Sequence, residues 1–447
     1  MKKLFDLRGA HALLLGSFVG AFALFPARAQ EGGAQEPPAE GQGAQQAEEG
    51  SEAEADGELV ALQGGDVYTV TEGVLRGATV LIRGKKISRI GHGIALPTGT
   101  KVYDVSGLRV YPGLVALDSR GLLGSAGKIE DTADPFNYQM TLALSAGVTS
   151  ARQGSAVVKL TRGDLEGMVL RDNVGVSLSS GTNSYGSGFQ QRESVRAALR
   201  KAAAYVKSFD EWAERQAKKI NDKDKAPSSA GVNKDFVKLL RHQEQAFANV
   251  EDAASLRAYA RLAQEFGFHL VIEGCSEGWT LADELGRAGV TAVVTPRNTF
   301  REPSEELLRP NGYSIENAGK LYRAGVDVCV APLSGGIGLG GIAGRDLLNL
   351  TMEAAFAIRG GLPADAALEA MTIGAARLLG VDERVGSLER GKDADVIVLD
   401  GDLFDYRSFV QYAFVDGKLR YEKNAETFFS HIRPVERPAP AVVEAKQ

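Results

Sequence analysis

Histidine is scarce in this sequence: five in 447 residues, at His11, His92, His242, His269 and His431. Cysteine is scarcer, with Cys275 and Cys329 alone. Two cysteines make no disulfide framework. Both stand in apolar, strand-like text, "VIEGC" and "VDVCVAP", where a thiol serves as a small buried hydrophobe. Residues 30–58 lack aromatic and branched aliphatic side chains altogether and carry nine acids with no Lys or Arg. Such a segment cannot offset its own chain entropy by burial, so it reads as a disordered acidic linker. The whole chain has a net charge of −6; residues 1–29 hold four bases and one acid, and what lies beyond Glu58 sums to zero. A neutral body gives no footing for nucleic acid.

What is present begins at the start. Lys2, Lys3 and Arg8 precede an apolar run over 12–25, and Ala27-Arg28-Ala29 follows. That order is a secretory signal peptide over 1–29, cut after Ala29. The run is short for a bilayer, so no membrane span remains after cleavage. The expected location is therefore exported, periplasmic or extracellular. Residues 59–111 read as short strands and tight turns. "ATVLIRGKKISRIG" alternates apolar and polar residues around an Arg-Gly-Lys turn, the mark of antiparallel β. From about Gly113 the rhythm changes. Short apolar strands such as "GVTSA" (147–151), "FHLVIEG" (268–274), "VTAVVTP" (290–296) and "VDVCVAP" (326–332) alternate with helical segments such as 254–267 and 314–325. Strand–helix alternation predicts a parallel α/β sheet, most simply a (β/α)8 TIM-like barrel over 112–384. A long Ala-, Arg- and Lys-rich helix candidate at 190–221 reads as an insertion with a solvated face. Over 385–425 the text returns to β, with an Asp416-Gly417 hairpin turn. The two β segments are expected to pair as one small β-sandwich domain, since chain ends tend to lie close together. Residues 426–447 read as a tail.

The local wording resembles the metal-dependent amidohydrolase superfamily over about 59–424. "KVYDVSGLRVYPGLV" resembles its passage from β domain into barrel, "MTIGAARLLGVDERVGSLERGKDADVIVLDGD" its exit, and "FVDGKLRYE" its closing hairpin. The resemblance implies a hydrolysis in which one or two divalent metals polarise a carbonyl and activate water. It also implies where the ligands should stand: His-x-His on the first barrel strand, a lysine or glutamate on the fourth, histidines on the fifth and sixth, an Asp on the eighth. This chain departs from the pattern at the first strand, where Pro112-Gly113-Leu114-Val115-Ala116-Leu117-Asp118-Ser119-Arg120 puts Asp118 and Arg120 in the two histidine seats. The fifth-strand place falls at Asn249, the sixth at Gly274 beside Glu273, and the eighth near Leu333 and Ser334, with no acid. A guanidinium cannot coordinate a metal and repels one. Lys159 in "SAVVKL" reads as a packed lysine whose ammonium snorkels to the surface.

Asp118 and Arg120 are the candidates for catalysis, against the simpler reading that they pair with each other. Arg120, Arg152 and Arg297 fall at strand ends on one face, and with Asn249, Glu273 and Ser334 they form a candidate ligand-binding mouth. Guanidinium groups suit carboxylates and phosphates. The competing reading pairs each arginine with an acid such as Asp118, Glu251 or Glu273. Gly336-x-Gly338-x-x-Gly341 has dinucleotide spacing, but no βαβ unit follows, so it reads as a loop. The Gly/Ser-rich stretch 177–194 reads as a cover over the same face. The expectation is an exported amidohydrolase-like protein without its metal centre or any cofactor. It would be a non-catalytic body binding a small anionic ligand or an active paralogue, and it could self-associate as a homo-oligomer. The alternative is a hydrolase of carbon–nitrogen bonds with an atypical site.

Overall fold

A computed structural model describes residues 57–123, 129–178, 188–218, 224–299, 302–305, 310–338, 345–426 and 442–444. The signal peptide and almost all of the acidic linker lie outside these residues, as do Gly341 and half of the 177–194 stretch.

The first strands are β1 (Leu59–Tyr68), β2 (Val74–Arg83), β3 (Lys86–Gly91), β4 (Lys101–Asp104) and β5 (Arg109–Pro112). The chain then enters an α/β body through β6 (Leu114–Ala116), β7 (Val148–Gln153), β8 (Ala156–Lys159), β9 (Val169–Arg171) and β10 (Val176–Ser177). It continues through β11 (Ala246–Val250), β12 (Leu270–Gly274), β13 (Thr291–Val294) and β14 (Asp327–Val330). The last strands are β15 (Val396–Leu399), β16 (Val410–Val415), β17 (Lys418–Glu422) and β18 (Val442–Glu444).

Both ends of the chain contribute to one hydrogen-bonded sheet of nine strands, in the order β17-β16-β15-β5-β1-β2-β3, with β4 bridging β1 and β18. Its centre is the antiparallel pairing of β5 with β15, Pro112 opposite Val396 and Tyr111 opposite Ile397. The turn between β16 and β17 has positive φ at both Asp416 (51°) and Gly417 (70°). That pair of left-handed residues gives a two-residue hairpin the twist its strands require.

In the α/β body, β10 to β14 form a parallel sheet in sequence order, and β6 and β7 pair in parallel in a second one. The alternation expected from Gly113 onward breaks once. β7, β8 and β9 are antiparallel neighbours, because the two-residue turn at Gly154 (φ 64°) folds the chain straight back instead of into a helix. Each parallel strand faces two ways, as the two-residue side-chain period demands. Val115, Val157, Phe247, Val271, Val293 and Cys329 converge on one cluster, capped by Ala375, Leu378 and Leu379 of the helix Ile373–Leu379. Their neighbours Leu114, Ala248, Ile272 and Val294 pack in another, with the surrounding helices. This is the two-sided packing of a largely parallel sheet inside an α/β body.

The helices follow their caps. Ala253–Phe266 starts at Asp252, whose carboxylate accepts from the amides of Ala254 and Ser255, and stops at Gly267 in the left-handed region (φ 72°). Its buried Leu256, Tyr259, Ala260 and Ala263 keep helical spacing. The long insertion helix runs from Gly188 to Ala217 and packs on the helix Lys234–Leu240. Both cysteines are free and buried, and burial pushes each thiol up to about 12. Ellman's reagent is therefore expected to titrate neither thiol in the native protein and both after unfolding; fast reaction of a native thiol would contradict this packing.

Candidate functional site

The carboxyl ends of β6, β7 and β11 to β14 are where an α/β barrel presents its chemistry. Ser119 sits just beyond β6, and its buried hydroxyl donates to the carbonyl of Arg152 at 2.8 Å, fixing the β6 end to β7. Asp118 and Arg120 flank it on the outer side and pair with each other, Nε to Oδ2 3.5 Å. Arg120 is 79% exposed in its side chain. The loop after β14 lies directly on this segment: the Arg120 amide donates to the carbonyl of Gly335 at 2.8 Å. A Cβ at 335 would lie 2.6 Å from Asp118 Oδ2, so only glycine allows the approach. Beside it, Ser334 is held by its own amide on Arg345 O (2.9 Å), and its hydroxyl accepts from Gly336 N (3.1 Å).

Arg152 and Arg297 are turned away from open solvent. Arg152 Nη2 donates to Glu273 Oε1, with its guanidinium 5.2 Å from the Phe247 ring centroid. Arg297 is bound from three directions by one carboxylate: its amide (3.1 Å), Nε (3.0 Å) and Nη2 (2.8 Å) all reach Glu353, whose side chain is fully buried. Burial raises the Glu353 carboxyl above the usual range, and the Arg297 charge opposes that. Asn249, exposed one residue before the end of β11, stands in register with Glu273 of β12.

Sequence reasoning did not find Glu353, although its signal is there. It lies among Leu350, Ala354 and Ala357 on the buried stripe of the helix Leu350–Arg359, and a carboxylate in an apolar stripe needs a partner.

The end of β12 holds the most informative exchange. Gly274 has φ 92°, and a Cβ there would lie 2.7 Å from Glu251 Oε1. The Glu251 carboxylate accepts from the amide (3.3 Å) and hydroxyl of Ser276 and from Asn298 Nδ2 (3.4 Å), while Asn298 also donates to Ser276 Oγ at 3.2 Å. A glutamate thus fills the room that a side chain at 274 would use.

His269 stands at the other end of the strands. Its carbonyl accepts from the first amide of β11, its Nε2 lies 3.1 Å from Thr291 Oγ1, and burial lowers its pKa. Among the described residues no group of three His, Cys, Asp or Glu side chains is placed to hold a metal ion. The charged side chains described at these strand ends are engaged with neighbours: Asp118 with Arg120, Arg152 with Glu273, and Glu251 with Ser276 and Asn298.

Lys159 is a correction. It does not snorkel: it is fully buried at the seam between β8 and the nine-stranded sheet. Its ammonium pairs with Asp393 (2.7 Å), Asp395 (3.0 Å) and Asp416. Asp393 also takes Lys86 (2.6 Å) and Arg384 (2.8 Å), so three cations meet three carboxylates. The "GKDAD" text and the hairpin Asp416 are therefore anchors for one lysine of the α/β body.

The arrangement defines a TIM-barrel-like α/β fold with charged strand ends. A sequence model of the amidohydrolase family matches residues 242–429. A solved amidohydrolase from Thermotoga maritima MSB8 is 25% identical, with a TM-score of 0.64 over 81% of this chain and 100% of that one. A prolidase solved with N-methylphosphonate-L-proline, 18% identical, superposes with a TM-score of 0.52 over 81% of this chain and all of its own. Among curated proteins, a 5-methylthioadenosine/S-adenosylhomocysteine deaminase from Desulforudis audaxviator (strain MP104C) is 33% identical over 123 residues. That stretch is 26% of this chain and spans only 25% of the relative's length.

Proposed function

We propose that this chain is an exported, non-catalytic relative of the amidohydrolases, with its metal-holding strand ends rebuilt as a network of ion pairs, and that its mouth binds a small anion. The Gly274–Glu251 exchange carries the reading. Where the resemblance assigns a histidine ligand there is no side chain, and the space holds a carboxylate already engaged by Ser276 and Asn298. The first strand supports it, because the Asp118–Arg120 pair brings a cation to a seat that a metal would need. Arg120 is the guanidinium that reaches solvent and would meet the ligand, whereas Arg152 and Arg297 hold the shape of the mouth through Glu273 and Glu353. The alternative, a hydrolase of carbon–nitrogen bonds, draws on the curated relative's name as a deaminase. Metal content separates the two. Protein stripped with chelator, incubated with zinc, iron, nickel or manganese and dialysed is expected to retain no metal above background. A near-stoichiometric metal would sink the binding reading, and deaminase and dipeptidase assays would follow.

A further inference from the structure

A cavity of about 410 Å³ lies between the α/β body and the nine-stranded sheet. Its walls are mostly apolar, with Leu348 and Phe356 on one side and Leu399, Leu403 and Phe409 on the other. Lys423, in the turn that follows β17, lines the same space. It is only 7% exposed. Its Nζ sits 4.1 Å from the centroid of the Phe409 ring, and among the described residues no carboxylate lies within ion-pair distance of it. The acids of the region are committed elsewhere. Asp400 accepts from the Phe409 amide (2.7 Å) and Gln411 Nε2 (2.9 Å), and Asp405 is bound by Arg407 (2.6 Å).

An ammonium withdrawn from water and given only an aromatic face is incompletely compensated. Burial lowers the Lys423 pKa, and the charge of Asp400 only partly opposes this. The cavity therefore has the composition of a small-molecule site: mostly apolar walls, the Lys423 ammonium, an Asp405 carboxylate already engaged by Arg407, and a volume in the usual range. A single ammonium acts as a point charge, and the apolar walls around it favour a ligand with one anionic group on a hydrocarbon body.

We propose that this cavity binds a monocarboxylate with an apolar body, the carboxylate pairing with Lys423 and the hydrocarbon filling the space beside Phe356 and Leu403. The site is separate from the strand-end mouth, although both touch the helix Leu350–Arg359: Arg297 reaches Met352 Sδ at 3.4 Å on one side, and Met352 and Phe356 line the cavity on the other. It stands whether or not the mouth binds anions.

The test is calorimetric titration of the whole protein with phenylbutyrate and with its neutral isostere phenylbutyramide. The native protein is expected to prefer the carboxylate by about tenfold or more, the worth of a hydrogen bond to a charged group. Lys423→Met keeps the length and the contact with Phe409 and is expected to abolish that preference. Ala355→Trp, filling the cavity from its wall with Lys423 intact, is expected to remove binding of both compounds. Equal affinity for acid and amide, binding of neither by the native protein, or unchanged binding by A355W would each overturn the proposal.

Discussion

Lys159→Met is expected to lower the stability of the folded chain by about 3–5 kcal/mol, the usual penalty for removing one partner from a buried ion cluster. The side chain is fully buried. After the substitution Asp393 still has Lys86 and Arg384, but Asp395 and Asp416 lose their only cation among the described ion pairs. Urea unfolding would show the loss as a lower midpoint at unchanged slope. Replacing both stranded aspartates as well, in K159M/D395N/D416N, is expected to recover most of it, because an uncharged site no longer holds unpaired anions. A single variant within about 1 kcal/mol of the native protein would show that water or a neighbouring cation compensates, and the cluster would not be the clamp described here.

The pH dependence follows from the same groups. Its three carboxylate neighbours raise the Lys159 pKa against its desolvation, so its contribution is complete below the ordinary lysine value of 10.5 and is lost as pH climbs through the higher folded value. The cations around Asp393 hold its carboxyl below 3.8 despite burial, so its contribution is present above that value and is lost as pH falls through the folded one. Burial pushes Asp395 the other way, so within this cluster the acid limb belongs to Asp393.

Gly274→His, which restores the residue type that the resemblance leads one to expect, is expected to cost about 2–5 kcal/mol and to create no metal site. Two penalties combine. The backbone at 274 has φ 92°, a conformation that a residue with a Cβ adopts only under strain. The new Cβ would also lie 2.7 Å from the Glu251 carboxylate, which Ser276 and Asn298 hold in place. The double variant G274H/E251A removes the collision but not the backbone strain, so it should regain only part of the loss. Denaturant midpoints give the energies, and zinc uptake after dialysis gives the chemistry. Stoichiometric zinc in the single variant would mean that the strand end can still be opened to a metal.

The sequence made the architecture readable because its signals are local. The Gly267 stop and the Asp416-Gly417 turn each act within a few residues of where they are written. Asp118 and Arg120 were legible for a related reason: two polar residues following an apolar strand have to stand at its mouth. The partners were not legible. Glu353 reaches Arg297 from 56 residues further along the chain, and Lys159 meets aspartates 236 and 257 residues away. No spacing rule joins positions that only the closed fold brings together. Gly274 shows the same limit from the other side. Its absence of a side chain can be read in the text, but the glutamate that fills the gap stands just past the end of the neighbouring strand.

The pairing of Pro112 with Val396 means that nearly the entire α/β body is an excursion between two adjacent strands of one sheet. Strands β1 to β5 are made before the α/β body, yet the edge of β5 that receives β15 stays open until the whole of that body has been made. Closing so long a loop carries its entropic cost at the end of folding. Until then the chain carries an unpaired, apolar strand edge, the feature on which aggregation starts. The burden of staying soluble before the fold closes therefore falls on β5, and the arrival of β15 relieves it.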